Sequence, residues 1–300
     1  MSQPHSFPVL PFSVAIGGIA TFATMDVLMK SLAIELGAYN AMLWRTLLAL
    51  SMASVLFLWF GLRWPGRRAM RLHVLRGLVT SVMAFLFFWG LVYVPLAEAI
   101  GLSFIAPLIA LYLAAVLLGE KVGGKSVLAS LIGLAGAVII VTGKLSGDYD
   151  EDIGKGMAAI LLSAVMYAYN LILQRQQALI ASPVEIVFFQ NATVVTVYLA
   201  IAPFYGEVPT PDLMPNLAAA AALGIASMML LSWAYARAEA QILIPVEYTA
   251  FLWASLFGWL VFAEALTLVT VVGTGLIVAG CLVAARQEPE RVEHVETTGV

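Results

Sequence analysis

The chain has 300 residues, of which 62% are hydrophobic and only 11% charged, and its mean hydropathy is +0.97. A soluble domain carries roughly 25% charged residues, so the composition excludes a soluble globular protein and reads as an all-α integral membrane protein. Net charge is −3, and one cysteine, Cys281, excludes an intramolecular disulfide and a cysteine-rich metal site.

A bilayer core about 30 Å thick takes about 20 apolar residues per helix. In chain order the apolar runs predict ten transmembrane helices: 12–32, 39–60, 73–93, 96–118, 125–143, 155–176, 183–203, 214–235, 240–262 and 266–285. Residues 1–11 lack the basic start of a signal peptide, so the first span is expected to be retained. Span one carries Asp26 and Lys30 one helical turn apart, where their side chains can meet on one face. Span two carries Arg45, and Glu98 stands in the first turn of span four. Pro107, which removes a backbone donor, and Gly101 predict a helix break in span four, where freed carbonyls can face a cavity but not lipid.

Beyond an acidic loop at 144–154, span six carries Tyr167, Asn170 and Arg175, and span seven carries Gln190 and Asn191. Span nine brings Pro245, a second candidate break, with Glu247, Tyr248 and Trp253. Uncompensated charge inside a span costs at least ~2.5–3.5 kcal/mol, so each ionisable residue needs a partner or water. Tyr167, Tyr248 and Trp253 are deep enough to wall a mostly apolar pocket with a few aimed polar groups, as a small amphipathic solute requires.

Lys and Arg in short loops mark the cytoplasmic side. With a cytoplasmic N-terminus, Arg63, Arg67, Arg68, Arg71, Arg76, Lys121, Lys125, Arg175, Arg237, Arg286 and Arg291 fall inside, and Asp148, Asp150, Glu151, Asp152, Glu207 and Asp212 fall outside, opposed there only by Lys144 and Lys155. Both termini are therefore expected in the cytoplasm. The last stretch, 286–300, is polar and Glu-rich and is expected to be disordered.

Sliding the two halves against each other gives an internal repeat. At an offset of 144 Trp89 meets Trp233, Glu120 meets Glu264 and Gly136 meets Gly280; at 145 Lys30 meets Arg175 and Arg45 meets Gln190. The predicted units are 12–143 and 155–285, five spans each. Five is odd, so the second unit enters the membrane upside down, giving two inverted five-helix repeats around a central cavity. Under this topology Asp26, Lys30, Arg45 and Glu98 form an outer charge cluster, and Asn170, Arg175, Gln190, Asn191 and Glu247 lie toward the cytoplasm.

The Pro107 to "LLGEK" ending of span four, the Gly-rich "SLIGLAGAVIIVTG" of span five and the echo "FGWLVFAE…GTGLIVAG" resemble the drug/metabolite transporter superfamily. The similarity covers about 12 to 285 and is nearest in appearance to EamA-type exporters, including YddG-like amino-acid exporters. One departure stands out: Phe251 occupies the place of Pro107 in the second half, and its proline comes earlier, at Pro245.

The resemblance implies a secondary transporter of the bacterial inner membrane, exporting neutral or aromatic amino acids or related amphipathic solutes by alternating access. It implies no cofactor and no metal. Asp26, Lys30, Arg45 and Glu98 would control the outer gate, and Glu247 is the candidate for the inner gate or for proton coupling. The alternatives are import or exchange of a nucleotide-like or vitamin metabolite, or lipid flipping; a channel would want a ring of like groups instead of mixed acids and bases. An intramembrane enzyme is disfavoured by the lack of HExxH and GxSxG motifs and by a single intraspan Asp. Nucleic acid has no case, since the basic run "RWPGRRAMRLHVLR" is explained by topology.

Overall fold

The computed structural model describes residues 8–120, 122–144, 151–263 and scattered positions between 268 and 283. Its elements are helical, with no strand among the described residues. The first, α1, runs Val9–Trp59, 51 residues. At 1.5 Å per residue a straight helix of that length would span ~75 Å, more than twice a bilayer core. It is not straight: Gly37 has φ 76° and ψ 147°, a conformation that only glycine adopts cheaply. The Arg45 Nη1 contacts Met25 Sδ at 3.3 Å, whereas 20 residues of unbroken helix would separate them by ~30 Å. The two arms therefore fold back on each other and correspond to the first two predicted spans.

After α1 come α2 (Arg67–Tyr93), α3 (Leu96–Ser103), α4 (Ile105–Leu113) and a π-helical turn, Ala114–Leu118. Then follow α5 (Gly124–Lys144), α6 (Glu151–Ala178), α7 (Pro183–Tyr205), a 3-10 turn at Pro211–Leu213, α8 (Met214–Tyr235) and α9 (Ala240–Leu243). A 3-10 segment, Ile244–Thr249, leads into α10 (Ala250–Phe262). Seven helices among the described residues are long and apolar enough to cross a membrane, the first being the folded-back α1. The tenth predicted span falls largely outside the described residues; those of its positions that are described are helical.

The solvent pattern is inverted relative to a soluble protein. Leu58, Phe204 and Trp59 are 78%, 80% and 84% exposed, while Asp26 and Arg76 are 2% and 4% exposed. Apolar side chains outside and charges inside are what lipid selects. The halves also interleave: α8 packs along α1 and α6 along α2, the two most extensive helix contacts. The α2–α6 approach is close because Gly90 faces Gly156; a Cβ on Gly90 would come within 2.8 Å of the Gly156 carbonyl and 2.6 Å of the Ile160 side chain.

Both helix breaks sit on the seam between the halves. Pro107 has no N–H to give the Ser103 carbonyl, and just there the chain tightens, the Phe104 N–H bonding to the Gly101 carbonyl at 3.2 Å and dividing α3 from α4. In the second half the break is longer and lies earlier, with Pro245 in the first turn of the 3-10 segment.

Candidate functional site

A cavity opens between α1, α2, α3, α4, α6 and the 244–249 segment. Its first lobe encloses about 740 Å³ of non-atom space, open solvent at its mouth included. This lobe is lined mainly by apolar side chains, among them Phe22, Phe87 and Pro107, with Asp26, Tyr167, Glu247 and two serines, Ser103 and Ser163, as its polar points. A second lobe adjoins it, lined by Arg45, Arg76, Thr80, Asn170, Gln174 and Gln190. Phe22, Met83, Ala84, Phe88 and Tyr167 line both lobes, so they form one continuous wall.

The two acids of the first lobe are held differently. Glu247, on the 3-10 segment, accepts a hydrogen bond from the Tyr167 hydroxyl at 2.6 Å. Asp26 is as deeply buried, yet its Oδ1 has no hydrogen-bond partner. In the second lobe Arg45 is in a matching condition. Its hydrogen-bond partner among the described residues is the Met25 thioether, and its Nε is buried without a partner. Sulfur is a weak acceptor, so Nη1 is weakly held and Nε is left without an acceptor.

Arg76 contrasts with Arg45. Its Nε donates to Asn170 Oδ1 at 3.1 Å, Nη2 to Gln174 Oε1 at 2.7 Å and Nη1 to Gln177 Oε1 at 2.7 Å. Asn170, Gln174 and Gln177 stand at i, i+4 and i+7 on α6, one face of a helix. The network continues in both directions. Thr80 donates to Asn170 Oδ1 at 3.2 Å and receives from Gln190 Nε2 at 2.5 Å, while Gln177 Nε2 and His73 Nδ1 are 2.5 Å apart. At its far end His73 Nε2 lies 3.0 Å from Glu185 Oε1.

Several expected site residues lie elsewhere. Lys30 forms no ion pair with Asp26; its ammonium donates to the Val94 carbonyl at 3.3 Å, at the corner between α2 and α3. The expected outer cluster is therefore divided, with Asp26 and Arg45 on the cavity and Lys30 on that corner. Glu98 lies in α3, and its side chain falls outside the described residues. Tyr248 packs edge-to-face on Phe104 and Trp253 stacks near Phe257; neither lines the cavity. Gly101 lies beside the α3–α4 break, and Pro107 lines the first lobe.

The charge pattern counts Arg76 among the basic residues that mark the cytoplasmic side, and the repeat pairs Glu120 with Glu264. Arg76 is a buried hub, and the signal for it was the amide stripe on α6. Glu120 accepts from the backbone N–H groups of Ala240 and Gln241 at 3.3 and 3.2 Å and pairs with Arg175 Nε at 3.4 Å. It thereby caps the start of α9 from the other half of the chain, satisfying donors that a helix start leaves orphaned. Its repeat mate, Glu264, lies outside the described residues. Arg175 also donates to the Tyr235 carbonyl. No group of three or more His, Cys, Asp or Glu able to hold a metal occurs among the described residues.

Comparison with known proteins bears on this arrangement. The EamA-like transporter family matches twice, at residues 10–142 and 154–286. The pseudopaline exporter CntI of Pseudomonas aeruginosa is 25% identical over 269 residues, 89% of this chain and 92% of that protein. An S-adenosylmethionine uptake transporter of Rickettsia bellii is 22% identical over 257 residues, covering 84% and 87%. A riboflavin transporter of Rhizobium johnstonii is 28% identical over 232 residues, 75% of each. A solved crystal structure superposes with a TM-score of 0.74 at 21% identity, covering 92% of this chain and 98% of its own. The relatives differ in cargo and in direction, so the similarity to amino-acid exporters is narrower than these matches support. Two matches that together cover most of the chain assign it nonetheless: the protein belongs to the EamA-like transporter family.

Proposed function

We propose that the protein is a secondary transporter of the bacterial inner membrane that exports a small amphipathic metabolite, of the neutral or aromatic amino-acid kind, by alternating access. In this reading ten helices form two inverted five-helix units, 12–143 and 155–285, joined by the outer loop 144–154. The tails 1–11 and 286–300 are cytoplasmic. The observation that carries the reading is the cavity on the seam. Both units wall it, Asp26 and Pro107 coming from the first and Tyr167 and Glu247 from the second, so a rocking of one unit against the other would expose it to each side in turn.

Glu247 with Tyr167 is the candidate gate or proton-coupling pair, and Asn170, Gln190 and the Arg76 network close the end nearest α7's start. The second reading is import or exchange of a nucleotide-like or vitamin metabolite, favoured by the relatives described as S-adenosylmethionine uptake and riboflavin transporters. Purified protein in proteoliposomes, challenged with amino acids, nucleosides and riboflavin, separates the two: saturable counterflow of amino acids supports the first, and counterflow of the other solutes alone supports the second. Scrambling of labelled phospholipid with no solute flux would replace both.

A further inference from the structure

We infer that the cavity selects a zwitterion: Asp26 receives the cationic group of the substrate in the first lobe and Arg45 its carboxylate in the second. This rests on the transport reading and specifies the substrate class of the same site.

Four observations converge. Asp26 is 2% exposed, lines the first lobe and has an oxygen without a donor. Arg45 lines the second lobe with its Nε orphaned and, among the described residues, only a thioether as hydrogen-bond acceptor. The two line adjoining lobes, and no ion pair joins them. Among the described residues, the other charges on the cavity are already held, Glu247 by Tyr167 and Arg76 by three amide oxygens.

Buried charges are normally paired, because leaving one uncompensated is costly. Two complementary charges left open on a shared wall are therefore a template for a ligand with both signs. A guanidinium also suits a carboxylate geometrically, offering a two-pronged fork of N–H donors. Phe22, Met83 and Phe88, common to both lobes, supply an apolar surface for the substrate's side chain. A solute with one charge would leave the opposite protein charge unanswered, so discrimination comes from what remains unpaired as much as from what is contacted.

The test is counterflow in proteoliposomes with four matched probes: L-phenylalanine, N-acetyl-L-phenylalanine, L-phenylalanine amide and riboflavin. Wild type is expected to favour L-phenylalanine at least tenfold over the two singly charged analogues. Asp26→Asn is expected to reverse this toward the N-acetyl compound, and Arg45→Gln toward the amide. A gain of flux for a new probe cannot arise from misfolding. Should either variant fail to elute as a monodisperse peak, thermal stabilisation of wild type by the same probes gives the order, with L-phenylalanine the most stabilising. Unchanged preference in folded variants, or a wild-type preference for a singly charged or neutral probe, overturns the inference while leaving transport in place. No flux of any probe fails the transport reading instead.

Discussion

Phe104 and Tyr248, 144 positions apart, meet edge-to-face with ring centroids 4.9 Å apart, and the Tyr248 hydroxyl donates to the Phe104 carbonyl at 3.5 Å. The halves of the sequence register at the same offset, and the two family matches are displaced by it. The two residues thus hold equivalent positions in the two family matches, and both sit at helix breaks.

The packing around this contact is tight. A Cβ on Gly133 would lie 2.7 Å from the Tyr248 ring, whereas one on Gly17 would meet nothing within 4 Å. Overpacking costs typically about 1–3 kcal/mol, so Gly133→Ala is expected to lower the melting temperature in detergent. Gly17→Ala serves as the control and is expected to be neutral or slightly stabilising.

A second repeat-equivalent pair ends the helices that follow the breaks. Gly119 has φ 69° and Ala263, 144 positions later, has φ 53°. The left-handed conformation is free for glycine and costs other residues roughly 1–2 kcal/mol. Ala263→Gly is therefore expected to stabilise the protein by up to about 1 kcal/mol, and Gly119→Ala to destabilise it, as read by paired melting curves.

Arg76 is predicted to be structural. Arg76→Met removes three charge-assisted hydrogen bonds and orphans the Gln174 and Gln177 amide oxygens, while Asn170 Oδ1 keeps the Thr80 hydroxyl, a loss on the order of 3–5 kcal/mol. Lysine offers a point charge in place of a planar fork, so Arg76→Lys is expected to recover only part of that stability.

Tyr167→Phe removes the hydroxyl that holds Glu247 and leaves the ring in place on both lobes. Flux is expected to fall about tenfold, a cost of about 1.4 kcal/mol, with the melting curve little changed. Equal flux in wild type and variant would remove this pair from the transport cycle.

The helices were legible because a bilayer demands long apolar runs, and the predicted 214–235 span coincides with α8. The side-chain partners were less so. Asp26 and Lys30 look like a pair from spacing alone, but the long lysine stem carries its charge to Val94, a contact 64 positions away. The stripe of Asn170, Gln174 and Gln177 was visible as a pattern, yet nothing local says that a guanidinium from α2 faces it. For Tyr248 the sequence makes depth legible but not direction, and the ring turns onto Phe104 and away from the cavity. Glu120 shows the same limit: its role depends on α9, which reaches it only after the halves interleave.

The most direct test of alternating access uses Ala84, which lines both lobes. With Cys281 replaced by Ser, Ala84→Cys is probed by a membrane-impermeant maleimide in right-side-out and inside-out vesicles. The account predicts labelling from both sides, with substrate altering the two rates in opposite directions. Labelling from one side only, unaffected by any transported solute, would contradict it.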